Sequence, residues 1–211
     1  RVLFRSPMVA RYLSEKDMDK LSGLYRSTSS IMLLLGSFLF MGILINMESV
    51  YTFMSNGDAY RLGFMVIVFL GLTKIVDMGT GLNGQIIGYS QYYRVNFYTL
   101  IFLGLSNTVL NYFLIHIMGV TGAALATLIS MTLYNLFKLY YVRKKFGIWP
   151  FTAKDILIIA FAILFALAAY MIPATGNPYI QILIRTTVFS ALFWTAALYF
   201  NVSPRMTLVV K

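Results

Sequence analysis

Six apolar stretches, each long enough for a helix to cross a bilayer, dominate the chain and constrain every other reading of it. They lie at about 27–47, 62–82, 96–116, 120–141, 155–172 and 181–200. Transmembrane strands would be runs of about 10 residues in strict alternation. These runs are longer and do not alternate, so they are read as helices. Pro7, Pro150, Pro173, Pro178 and Pro204 all fall outside them, as expected of a residue that removes a helix hydrogen bond. The predicted fold class is all-α and polytopic. Residues 1–26 form a linker and helix start, 27–200 the six-helix transmembrane region and 201–211 a tail.

Composition closes off the alternatives. Hydrophobic residues make up 59% of the 211 and charged residues only 11%, against about 25% charged in a soluble domain. The same apolar content excludes a disordered chain. A net charge of +10 would point to nucleic acid in a soluble protein, but the positions of the charges point elsewhere. Fourteen of the 17 basic residues fall on one side of the six-span arrangement, the exceptions being Arg61, Lys74 and Arg185. The positive-inside rule puts both termini, and hence linker and tail, in the cytoplasm. Membrane lipid, not nucleic acid, is the expected partner. The chain opens on Arg1 with no signal peptide and reads as a piece of something longer.

Local signals place the helix starts. Ser14 followed by Asp17, and Thr152 followed by Asp155, match the capping-box pattern. A helix beginning near Ser14 and running into span one would exceed the membrane thickness. Tyr140, Tyr141 and Trp149 sit at the expected inner interface.

Span two concentrates polarity. It holds or adjoins six of the 15 glycines and carries Lys74 and Asp77, three residues apart on one helix face, where they can pair. Asn83 and Gln85 extend the polar character. Intramembrane charges face bundle interiors or hydrated cavities, and glycines permit bending and close helix approach. The helix therefore either lines a polar translocation cavity or carries a neutralised pair that fixes packing. Ser27, Thr28, Ser29 and Ser30 open span one and read as hydroxyls bonded to the preceding turn. Gly122, Ala126 and Ser130 form a packing stripe in span four. Asn107 and Asn111 are expected to bond between helices. His116, the lone histidine, is read as incidental at the outer interface, and Glu48 and Asp58 as outer-loop acids that do not converge. With no cysteine, Walker loop, zinc motif or nucleophile elbow, no catalytic residue, metal site or cofactor is expected.

The run Asn107–Ile115, followed by Gly119-Val-Thr-Gly122-Ala-Ala-Leu-Ala-Thr127, resembles the C-terminal half of polysaccharide-biosynthesis flippases of the multidrug/oligosaccharidyl-lipid/polysaccharide exporter superfamily. Residues 76–94 are similar to the O-antigen flippase branch. The likeness covers about residues 15–200 and does not alone separate sugar-lipid flippases from drug exporters. It implies one lobe of a two-lobe transporter in a bacterial inner membrane, with span one as the family's seventh helix and a first lobe missing. It further implies a lipid-linked oligosaccharide as substrate, and a glycan polymerase or glycosyltransferases as further partners. The first two helices of such a lobe line the cavity, which makes Arg26, Lys74, Asp77, Asn83 and Gln85 the candidate site. Lys74 and Arg26 would compensate a pyrophosphate. The rival readings are a cation-coupled drug or metabolite antiporter of the same fold and a non-transport scaffold of a glycan-assembly complex.

Overall fold

The computed structural model describes residues 5–54, 57–173 and 176–200. The expected tail over 201–211 lies outside the described residues, as do residues 1–4 and the Asp58 side chain. The described residues form nine helices and no strand: α1 Arg5–Ser14, α2 Met18–Phe53, α3 Gly57–Arg61, α4 Phe64–Thr80, α5 Asn83–Gly88, α6 Tyr93–Met118, α7 Val120–Phe146, α8 Ala153–Tyr170 and α9 Pro178–Tyr199. Five of them, α2, α6, α7, α8 and α9, are long and apolar enough to cross a membrane. This is the build of a multi-pass membrane protein. The second predicted stretch, 62–82, forms α4, whose 17 residues end at a break at Gly81, and the short α5 follows beyond that stretch.

The expected over-long first helix is present. At 36 residues, α2 is about 54 Å long, against about 30 Å of bilayer hydrocarbon. Its start differs from the capping-box expectation. Ser14 ends α1, its hydroxyl donating to the Arg11 carbonyl. Lys16 adopts a left-handed conformation, φ 56°, which breaks the helix. Asp17 then caps α2 by accepting from the Lys20 backbone N–H at 3.0 Å. The Lys20 side chain holds the Asp17 carboxyl below its usual range. At α8 the pattern holds: the Thr152 backbone N–H donates to Asp155 Oδ2 at 2.6 Å. Pro178 sits in the first turn of α9, where its missing N–H costs nothing.

Helix α2 organises the packing. It lies between α8 and α9 on one side and α4 on the other; α4 packs on α7, and α7 on α6. The α2–α8–α9 core combines large and small residues. Phe38 stacks on Phe189 with ring centroids 5.5 Å apart, while Ala162, Ala166 and Ala169 give α8 a buried small-residue stripe, the usual means of close helix approach in lipid. Residues 5–14, read from sequence as linker, form a helix instead. Its Val9 joins Leu21, Leu24 and Tyr25 of α2, Ile86 and Ile87 of α5 and Val142 of α7 in a second core.

Buried polar side chains tie the helices. Arg185 of α9 donates to the Ile45 carbonyl of α2 at 3.2 Å and to the Tyr170 and Ile172 carbonyls at 3.1 and 3.2 Å. Those last two are acceptors at and beyond the end of α8, which has no further turn to satisfy them. Ser30 of α2 donates to Asp155 of α8 at 2.6 Å. Asn107 and Asn111 depart from expectation: the Asn111 amide donates to Asn107 within α6. The cause is the position of α6, of whose residues only Thr99 is buried. The span-four stripe is buried as expected, and a Cβ on Gly122 would come 2.0 Å from the Leu114 carbonyl oxygen of α6.

Candidate functional site

The site is built at the C-terminal end of α4. Gly81 stops that helix with φ 61° and ψ −115°, a conformation closed to residues with a Cβ. Space requires glycine as well, since a Cβ there would come 2.3 Å from the Ser29 hydroxyl. The break leaves the last turn of α4 beside α7. Thr80 shares its hydroxyl between the Asp77 carbonyl at 3.0 Å and the Asn135 side-chain carbonyl at 3.1 Å. The Asn135 amide donates to Asp77 Oδ1 at 3.4 Å.

Lys138 completes this cluster. It follows Asn135 by one helical turn and is only 6% exposed. Its ammonium lies 3.9 Å from the centre of the Tyr134 ring. A Cβ on Gly84 would come 3.3 Å from that ammonium and 3.9 Å from Asn96 Oδ1, so the bare glycine of α5 makes room for both. Among the described residues Lys138 makes no ion pair within 4.0 Å, although the Asp77 charge acts on it. Asn83 Nδ2 and Asn96 Oδ1 are buried without a hydrogen-bond partner. A buried cation with uncommitted N–H donors beside orphaned amide groups is a place where an anion or a hydrated ligand gains contacts.

The five candidates divide. Asp77 and Gln85 line one pocket of about 210 Å³, together with Thr28 and Met32 of α2 and Met78 and Gly81 of α4 and its end. Lys74 is exposed one turn from Asp77 and forms no ion pair with it. The expected Lys74–Asp77 pair is thus replaced: Asp77 is engaged by Asn135, a donor that only the α4–α7 packing brings near. Asn83 is buried and accepts a hydrogen bond from the Tyr25 hydroxyl, which makes it a core link between α2 and α5. Arg26 is exposed and donates from Nε to the Trp149 carbonyl at 3.2 Å, so it does not join the Asp77 pocket.

Sequence reading missed Lys138, Asn135 and Tyr134. Lys138 counts among the fourteen basic residues assigned to one side of the membrane, where a lysine near a span end would snorkel to water. A signal was available: Tyr134, Asn135 and Lys138 share a helix face inside the predicted span 120–141. The outer acids also resolve. Glu48 lies in α2, and its carboxylate pairs with Arg61.

No family model matches the chain, and no curated protein or solved structure matches it.

Proposed function

We propose that the chain is one lobe of a membrane transporter that moves a polyprenyl-pyrophosphate-linked oligosaccharide across the bacterial inner membrane. In this reading α4 and α5 together make a sixth, broken span, both termini face the cytoplasm and a first lobe closes the cavity. The observation that carries the reading is Lys138, buried beside the broken end of α4 and in no ion pair among the described residues. An ammonium at membrane depth gains from a counter-charge, and a diphosphate supplies one. The hydroxyl, amide and carboxylate groups of Thr28, Gln85 and Asp77 in the adjoining pocket suit a hydrated glycan. Rocking of this lobe against its partner would expose the site to each side in turn, discontinuous helices being common at such sites.

The test is genetic and chemical together. Removing the protein should abolish surface glycan and leave its lipid-linked precursor in the cytoplasmic leaflet. The full-length protein should restore the glycan; its Lys138→Ala variant, present at normal level, should not. Normal surface glycan without the protein defeats the reading. A second reading, a cation-coupled antiporter, draws on Asp77, which lines a pocket and is in no ion pair among the described residues. It gains if Asp77→Asn alone abolishes export of an organic cation.

A further inference from the structure

A second cavity, of about 550 Å³, is lined by α4, α7 and α8, with Leu33 of α2. Lys138 and Gln85 are not in its lining, although Thr80 of the candidate site is. Its wall is mainly apolar, from Ile75 of α4, Leu136 and Leu139 of α7 and Ile159 of α8, and it is bounded by Trp149 and Phe151 of the α7–α8 connection. Asp155 is the charged group in the lining, and it is already engaged. Ser30 donates to its Oδ1, while the Thr152 backbone N–H and hydroxyl donate to its Oδ2.

Two arginines each touch Trp149. Arg26 of α2 donates from Nε to the Trp149 carbonyl, and the Arg143 guanidinium of α7 lies 4.9 Å from the centre of the indole. Both are exposed, and among the described residues neither is in an ion pair. The contact with the indole consumes none of the Arg143 N–H donors in a hydrogen bond, and the Arg26 bond uses one donor of five. Tryptophan marks the depth at which lipid headgroups lie. An apolar cleft of this size would bury hydrocarbon, and two arginine forks at its headgroup end match a phosphodiester.

We infer that this cavity is a binding site for an anionic phospholipid, with an acyl chain between α7 and α8 and the phosphate held by Arg26 and Arg143 beside Trp149. The inference needs only that these helices span a membrane and is independent of the transported substrate. It also gives Arg26 a role outside the candidate translocation pocket.

The full-length protein, delipidated in detergent, is titrated with phosphatidylglycerol or phosphatidylethanolamine of identical chains, and bound lipid is counted by native mass spectrometry. Phosphatidylglycerol is expected to bind about tenfold more tightly, a difference of one charge-assisted contact. Arg26→Gln with Arg143→Gln should erase that preference, and Leu136→Trp, which fills the cleft, should weaken both lipids. Equal binding of the two lipids to the unmodified protein, or an unchanged preference in the double variant, overturns the site. If the double variant does not fold, photoactivatable phosphatidylglycerol on the unmodified protein decides. Labelled peptides should contain residues 136–159, and labelling confined to other helices overturns the inference.

Discussion

Lys138 and Tyr134 lie one turn apart on α7, with the lysine ammonium 3.9 Å from the centre of the phenol ring. The ring face supplies part of the stabilisation that a carboxylate would otherwise give, worth about 2 kcal/mol where water is excluded. It does so without consuming an N–H donor, so the cation stays available to an incoming anion. Lys138→Met should preserve folding and abolish transport, whereas Lys138→Arg should retain part of it. Comparing protein level with transport in cells separates the two effects. Equal transport by the unmodified protein and the Met variant would show that Lys138 is structural.

Gly81→Ala should destabilise the lobe by about 1–3 kcal/mol, because the φ of 61° with ψ −115° is strained for alanine. Part of the loss comes from contact with the Ser29 hydroxyl. Adding Ser29→Ala should therefore recover some stability but not all. Thermal unfolding of the two variants in detergent checks this, and full recovery would mean that the backbone is unstrained there.

Arg185→Met should cost about 2–4 kcal/mol, since three carbonyl acceptors at the α2, α8 and α9 junction lose their donor. The damage should be local. Amide exchange is expected to rise at the end of α8 and around Ile45, and to stay unchanged in α6. Uniform exchange across all helices would contradict the clamp.

The α2 start should be acid-sensitive. The folded-state pKa of Asp17 is depressed by Lys20, so its stabilising contribution is present above the ordinary carboxylate range and is lost as pH falls through the depressed value. Exchange at residues 18–21, corrected for the intrinsic pH dependence, should therefore rise on acidification. Asp17→Ala should remove that response. An identical response in the variant would assign the titration to another group.

How much of this was legible in the sequence follows from the range of each interaction. The helices of the six apolar stretches, the Thr152–Asp155 cap and the over-long first helix are consequences of local pattern: apolar length, capping chemistry and proline placement act within a few residues. The start of the long first helix, expected near Ser14, lies a few residues later, because Ser14 and Asp17 are both good caps and only the left-handed Lys16 decides between them.

The site was legible only as a region. Glycine density and intramembrane charge singled out residues 63–88, and Asp77 and Gln85 do share a pocket there. The pairing was not legible. Lys74 and Asp77 are neighbours along one helix, yet Asp77 is held by Asn135, 58 residues away, and Lys138 is buried against Tyr134 and Gly84 instead of reaching water. Sequence alone determined an all-helical, membrane-embedded chain, because hydropathy and backbone hydrogen bonding are satisfied segment by segment. Tertiary structure alone decided which charges are paired and which are left open, because in a low-dielectric interior that depends on the donors a neighbouring helix brings within about 3 Å.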